Sequence, residues 1–369
     1  MNVSMDVVVT THNDAEFLRE ALLSIIYGSK GTNLVQSIVV VDDASRSSEA
    51  EMADRIVDEI RLIHSDIILI RNSGNCGLSH SRNRGLRFCS AEYVTFLDAD
   101  DLKPAGWGAM VKDILEAEKP DYLFTASALI DDQQNFLPFY DEDRFSRLFK
   151  GKSIQAFGSN TRFIPLILEP QIGNKYFKLE FINKYLFPIG RKFEDLYLIA
   201  RMTLDLDNVL GANVITHLYN VTERSSRVTM MPKLKGDIIG NLAGLSAIYA
   251  HHFDSKADKL RLERNQAGSL SAKNLDRQLR VLDLERQLAF AALKCAFARM
   301  LDWSINTIGI SDVEAFADRA ARVLQSMPTN PSVAKLLGDV GDPTTFKWYD
   351  DLVNILINGD RGYLGQVYA

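Results

Sequence analysis

Four five-residue runs punctuate the first hundred residues: MDVVV (Met5–Val9), SIVVV (Ser37–Val41), DIILI (Asp66–Ile70) and YVTFL (Tyr93–Leu97). They are rich in Val and Ile and short, which is the signature of strands buried on both faces of a parallel sheet. Helical periodicity fills the gaps between them. Phe17, Leu18, Ala21, Leu22, Ile25 and Ile26 mark one helix, and Met52, Ile56 and Ile60 a second. The turn NSGNCG leads into a helix expected from Leu78 to Phe88, and Trp107, Met110, Val111, Ile114 and Leu115 give the next helix its apolar stripe. DYLFTASALI (Asp121–Ile130) reads as a fifth strand. Strands alternating with helices predict a doubly wound α/β sheet with helices on both faces.

The pattern changes twice further on. From Asp131 to Leu210 it is less regular, with turns at Pro138, Pro165, Pro170 and Pro188 and one clear helix starting near Glu194. Beyond Pro232 the chain is rich in Leu, Ala, Arg, Lys and Glu at helical spacing, with further helical segments expected at Val313–Gln325 and Phe346–Ile357. An all-α C-terminal region is expected, packed as a bundle or offered as a face between copies of the chain, to a membrane surface or to a partner enzyme. The 369 residues suggest about two domains at the usual ~150 residues each.

A formal net charge of -6 without a basic stripe argues against a nucleic-acid partner. Cys76, Cys89 and Cys295 show no CxxC spacing, so neither a disulfide framework nor a zinc site is expected. The N-terminus lacks the pattern of a signal peptide. No apolar run approaches the ~18 residues of a membrane span. The expected location is the cytoplasm, with peripheral contact at the inner face of the membrane left open.

In open α/β sheets ligands bind at the carboxyl ends of the strands. Those ends read TTHN (Thr10–Asn13), DDAS (Asp42–Ser45), SRNRG (Ser81–Gly85, after the turn that follows strand three) and DADD (Asp98–Asp101). Single acids there have an ordinary reading, because Asp43, Ser45 or Asp101 could cap the helix that follows. Four polar ends converging on one edge are harder to explain by capping. Asp98 and Asp100 flank a small residue, Ala99, and two carboxylates so spaced in a turn suit Mg²⁺ or Mn²⁺. Such ions take one or two carboxylates and fill the remaining positions with substrate phosphates. No P-loop and no Gly-x-Gly-x-x-Gly turn occurs, which disfavours ATPase and NAD chemistry.

These motifs in this order resemble glycosyltransferase family 2 enzymes, which have the GT-A fold. The matching stretches are TTHN, VDDAS, NCGLSHSRNRGL, FLDADD, the segment NKYFKLEFINKYLFPIGRKFEDLYLIARM and HLYNVTERSS, over about residues 5 to 230. The resemblance implies a catalytic domain over 1–230, with a nucleotide-binding half at 1–128 and an acceptor-side half at 129–230. Residues 231–369 would then be the helical region. It implies an inverting transfer from a UDP-sugar donor to a hydroxyl of a glycan or lipid-linked acceptor, with Mn²⁺ or Mg²⁺. Thr10, His12 and Asp43 would hold the uracil, with Asn13, Arg82 and Ala99 against the nucleotide. Asp42 would help or only shape the turn. Asp98 would meet the ribose or the metal, Asp100 would bind the metal, and Asp195 would be the catalytic base. Arg224, Arg227 and the serines between them would close on the diphosphate. His217 is either an added metal ligand or a structural histidine. The chain departs from the family pattern where Thr10 replaces proline, His12 replaces tyrosine and Asn220 stands in place of arginine. Two competing readings are a sugar nucleotidyltransferase, whose Gly-rich basic loop after strand one is missing, and a non-catalytic carbohydrate-binding or scaffold protein.

Overall fold

A computed structural model describes residues 3–131, 135–139, 142–149, 151–158, 161–168, 170–221, 235–308, 318, 320–325 and 327. Contacts group the chain into two compact units, neither of them one continuous stretch. The first is Met1–Ala156, Glu169–Leu198 and Leu206–Ser225; the second is Phe157–Leu168, Ile199–Asp205 and Ser226–Ala369. A cut near residue 230 would therefore part residues 157–168 and 199–205 from the residues they contact.

The first unit is built on one mixed sheet. Its first part alternates β1 (Met5–Thr11), α1 (Ala15–Gly28), β2 (Val35–Asp42), α2 (Ser47–Ile60), β3 (Ile67–Arg71), α3 (Leu78–Leu86), β4 (Tyr93–Asp98), α4 (Trp107–Glu118) and β5 (Tyr122–Ile130). There follow β6 (Phe136–Leu137), α5 (Glu142–Phe149), β7 (Ile154–Phe157), β8 (Lys175–Lys178), α6 (Leu179–Ile182), α7 (Glu194–Met202) and β9 (Val209–Asn220). The strand order is β3-β2-β1-β4-β8-β5-β9-β7, with β6 beside β5. β1, β2, β3 and β4 run parallel, as do β5 and β9, while β8 runs antiparallel to both β4 and β5.

Burial on both faces explains why the strand sequences are so apolar. Val7 and Val9 of β1, Ile38 and Val40 of β2 and Leu97 of β4 join a core with Leu18, Leu22 and Ile25 of α1 and Trp107 and Val111 of α4. Val8 points the other way, to α3. There a Cβ on Gly85 would lie 2.4 Å from Val8 Cγ1 and 3.2 Å from Val41 Cγ2. A residue without a side chain is what lets α3 lie flat on the sheet. From β1 the chain steps to β2 and β3 on one side, then returns to place β4 on the other side of β1. The point where the winding reverses, between the carboxyl ends of β1 and β4, is where an open α/β sheet forms its ligand crevice.

The second unit contains a 3₁₀ turn at Ile164–Ile167 and two long helices, α8 (Lys235–Gln266) and α9 (Ser269–Ile308). Ile238, Leu242, Leu245, Tyr249 and Phe253 bury one stripe of α8 at spacings of three and four. Tyr249 stands edge-on to Phe290 of α9, and its hydroxyl donates to the Ala200 carbonyl at 2.8 Å. The helical character expected beyond residue 232 is present in α8 and α9 and at residues 320–325. The segment expected at Phe346–Ile357 lies outside the described residues. No helix among the described residues is long and apolar enough to cross a membrane.

Gly85→Ala should lower stability by about 1–3 kcal/mol, the usual cost of overpacking a tight contact. Thermal denaturation followed by circular dichroism will read this as a lower midpoint, and an unchanged midpoint would show that α3 can shift at no cost.

Candidate active site

The crevice begins with a backbone pairing. Thr10 of β1 lies opposite Asp98 of β4, and the Ala99 N–H donates to the Thr10 carbonyl at 2.9 Å. The Thr10 hydroxyl donates to Asp98 Oδ1 at 2.7 Å. Arg82, from α3, places Nη2 3.0 Å from each Asp98 oxygen and Nη1 2.8 Å from Glu194 Oε1 at the start of α7. Its side chain is only 3% exposed, and its guanidinium lies 5.4 Å from the centre of the Phe187 ring. Burial alone would weaken the charge on Arg82, but Asp98, Glu194 and Asp195 outweigh it and raise its pKa. The guanidinium expected against the nucleotide is enclosed between two carboxylates. Thr10 and Ala99 are likewise buried, the hydroxyl of one and the N–H of the other committed within the protein.

Asp195 follows Glu194 in α7. Phe193, just before them, adopts φ = 57°, a turn of the backbone into the helix that costs a non-glycine residue strain. Burial and the neighbouring Glu194 push the Asp195 carboxyl up to about 7, against the opposing pull of Arg82. The carboxyl accepts from the Leu196 N–H at 2.7 Å.

The two acids after β2 divide sharply. Asp42 is fully buried, with Oδ1 accepting from the Ser45 N–H at 2.9 Å and Oδ2 from Arg71 Nε at 2.6 Å. These bonds commit both oxygens of Asp42 to the turn after β2, which fits the second of its two expected roles. Asp43 accepts from Asn72 Nδ2 at 2.6 Å and from the Cys76 and Gly77 N–H groups at 2.9 and 2.7 Å. Burial works against its charge, but these bonds and one from Ser81 outweigh it and hold its pKa below the usual carboxylate range. Asp43 thus organises the NSGNCG turn instead of capping α2. His12 Nδ1 lies 2.8 Å from the Asp43 carbonyl, and Nε2 lies 2.9 Å from Asn13 Nδ2 and 3.0 Å from Asn75 Nδ2. That pattern fits an Nδ1–H donor and an Nε2 acceptor. Asn13 sits at φ = 60° and links the two turns, its N–H donating to Ser45 Oγ and its Oδ1 accepting from the Arg46 N–H, each at 2.8 Å.

The DADD turn carries the densest negative charge. Burial, with Asp101, Asp98 and Asp14 adding repulsion, pushes the Asp100 carboxyl up to about 8. Asp101 is not a cap for α4, which starts after Gly106. It accepts from the Asn220 N–H at 3.0 Å and lies 2.9 Å from His217 Nε2. Desolvation raises the pKa of Asp101 and lowers that of His217, so both favour the neutral form. His217 Nδ1 lies 3.1 Å from Ser127 Oγ, and the ring presses on Gly173, where a Cβ would lie 2.4 Å away. Both ring nitrogens of the fully buried His217 are engaged, which fits the structural one of its two expected roles. Below the turn, Lys103 Nζ donates to the Gly173 carbonyl at 2.6 Å and sits over the Trp107 and Tyr176 rings; burial lowers its pKa to about 7.

The structure thus brings Thr10, Arg82, Asp98, Ala99 and Glu194 into one contact chain at the β1/β4 crevice, with the Asp195 charge felt at Arg82. His12, Asn13 and Asp43 form a second cluster on the β2 side. Among the described residues no group of three or more His, Cys, Asp or Glu side chains is arranged to hold a metal ion. Arg224, Ser225, Ser226 and Arg227 lie outside the described residues. The sequence reading had no role for Asn72, Asn75 or Asn83, although all three sit in the stretches it quoted. Asn72 and Asn75 bind Asp43 and His12, and Asn83 pairs with the Phe187 backbone, contacts that local pattern does not encode.

Asp43→Ala should destabilise the protein by about 3 kcal/mol, because it leaves the donors of Asn72, Cys76, Gly77 and Ser81 without their charged acceptor. A carboxylate with a depressed folded pKa stabilises above its unfolded pKa of about 3.9 and loses that contribution as pH falls through the folded value. The gap between wild type and Asp43→Ala in denaturant midpoint should be full at pH 7 and shrink below about pH 4. A constant gap across that range would show that the charge on Asp43 does not matter.

Residues 6–165 match the family model for glycosyl transferase family 2. The chain is 31% identical over 118 residues to the minor teichoic acid biosynthesis protein GgaB of Bacillus subtilis, which covers 32% of this chain and 13% of that protein. It is 27% identical over 226 residues to the glycosyltransferase GlyA of Streptococcus pneumoniae, covering 60% of this chain and 31% of that protein. The chain therefore spans less than a third of either relative's length. Crystal structures of S. aureus TarS 1–349 resemble it in fold, with a TM-score of 0.61 at 15% identity over 98% of this chain and 92% of that one. The same fragment in complex with UDP-GlcNAc gives a TM-score of 0.59 at 15% identity. Over residues 6–165 the chain thus matches glycosyl transferase family 2, and its mixed α/β sheet resembles the fold of TarS.

Proposed function

We propose that the protein transfers a sugar from a UDP-sugar to a hydroxyl group of a glycan or lipid-linked acceptor, inverting the anomeric carbon, with Mn²⁺ or Mg²⁺ bound at Asp98 and Asp100. The observation that carries this reading is the crowding of acids at the β1/β4 crevice of a family 2 domain. An Asp100 carboxyl pushed up to about 8 by burial and three neighbouring acids is a site short of positive charge. A divalent cation would relieve that shortage. A donor set of one or two carboxylates completed by a diphosphate is the usual way such ions are held. When bound there, the ion supplies Lewis-acid neutralisation of the charge that develops on the leaving diphosphate.

The protein's own groups divide the remaining work. The His12 ring, held edge-on by the Asp43 carbonyl, Asn13 and Asn75, offers its flat face to a base. The Asp43 carboxylate, beside His12, would accept the uracil ring N–H in place of one of its present donors. UDP as the nucleotide agrees with the UDP and UDP-GlcNAc complexes solved for TarS. Asp195 takes the proton of the acceptor hydroxyl as its oxygen bonds to the anomeric carbon and the bond to the UDP oxygen breaks. A single displacement with base and leaving group on opposite faces of the ring inverts that carbon. A carboxyl raised to about 7 is matched to this task, since a general base works best with a pKa near the working pH.

Asp195→Asn tests the reading. UDP release from UDP-glucose and UDP-N-acetylglucosamine, assayed with Mn²⁺, should fall by about 10²–10⁴-fold in kcat, the usual cost of losing a general base. Because the base acts ionised, wild-type kcat should fall as pH drops below about 7. Normal turnover in Asp195→Asn would remove Asp195 from the chemistry.

A further inference from the structure

Two adjacent acids open α7, and the contacts separate their roles. Glu194 Oε1 accepts from Arg82 Nη1 at 2.8 Å, while the carboxyl of Asp195 accepts from its own helix at the Leu196 N–H. The other nitrogen of the same guanidinium holds both oxygens of Asp98 at the end of β4. The next residue of α3 makes a parallel tie. Asn83 Nδ2 donates to the Phe187 carbonyl, and the Phe187 N–H donates to Asn83 Oδ1, both at 2.9 Å. The Phe187 ring packs edge-on against Phe96 of β4 at 5.2 Å. Two consecutive residues of α3 thus bind the segment from Phe187 to Glu194 to the carboxyl end of β4.

We propose that Arg82 and Glu194 form a positioning pair that sets Asp195 against the donor end of β4, so that Glu194 is the anchor of the base and not an alternative base. The proposal rests on the transferase reading above. Its physical ground is the rigidity of the fork. A guanidinium presents its donors in one plane, and with carboxylates on both sides it fixes their separation as well as their charge. Successive helical residues point about 100° apart, so holding Glu194 on Arg82 also fixes the direction of Asp195. A lysine in place of Arg82 keeps the charge but cannot span both acids.

The test is a double-mutant cycle on the full chain with Arg82→Lys, Glu194→Ala and the pair. UDP release from UDP-glucose and UDP-N-acetylglucosamine is measured with Mn²⁺, together with UDP affinity and thermal midpoint. Each single change should lower kcat by about 10–100-fold, the scale of a small misplacement of a catalytic group. Glu194→Ala should keep UDP affinity within about threefold, and the pair should lose no more than the worse single variant, because residues acting as one unit are not additive. The proposal is overturned by losses that multiply in the pair, by a Glu194→Ala variant with normal kcat, or by one whose UDP affinity falls as far as its kcat. If Arg82→Lys does not fold, Glu194→Ala decides alone: lost kcat at unchanged UDP affinity supports the pair, and normal kcat sinks it. A wild-type chain that neither binds UDP nor releases it from these donors overturns the transferase reading and the pair with it. An active wild type with additive losses overturns the pair alone.

Discussion

The buried guanidinium of Arg82 is the contact on which the crevice depends. Asp98 ends β4 while Glu194 and Asp195 open α7, far along the chain, and all three press negative charge onto the buried guanidinium. Removing such a cation would leave carboxylates buried without compensation, a costly state that a protein relieves by protonating them or by opening the site. Arg82 neutralises part of this charge and leaves part of it unmet. Asp98 is satisfied by Arg82 and Thr10, whereas Asp100 is left with its carboxyl raised. On the proposed function, a cation and a diphosphate would offset the charge that leaves Asp100 raised.

The same economy appears below the turn. Asp101, His217 and Lys103 are three ionisable groups in the interior, and burial pushes each toward its neutral form. Asp101 holds the end of β9 through the Asn220 N–H, and His217 fills the space that Gly173 leaves. The third acid of DADD, Asp101, is therefore a structural support for the turn.

Much of the sheet was legible because its signals are local. β1 to β5 and α1 to α4 follow from runs of Val and Ile and from helical stripes, each contained within a short window. β8 was not legible: four residues, Lys175–Lys178, slot antiparallel between β4 and β5, and nothing in KYFK says which strands will accept it. Nor was the make-up of the second unit, since residues 157–168 and 199–205 join α8 and α9 through contacts remote in sequence. In the crevice, strand-end position identified Asp43, Asp98 and Asp100 as candidates. It could not separate Asp42 from Asp43, because adjacent residues of a strand face opposite ways and only the partner, here Arg71, shows which way is inward. Arg82 was found by motif, but its partner Glu194 lies 112 residues away and no spacing rule joins them.

Calorimetric titration of the protein with UDP, and with GDP as the control, in the presence and absence of Mn²⁺, tests the central claim most directly. If the acids at the β1/β4 crevice form a metal-dependent uridine diphosphate site, UDP will bind tightly only with Mn²⁺, GDP will bind at least tenfold more weakly, about 1.4 kcal/mol, and Asp100→Asn will abolish the metal requirement together with tight binding. Equal binding of UDP and GDP, or UDP binding that Mn²⁺ and Asp100→Asn leave unchanged, would contradict the account.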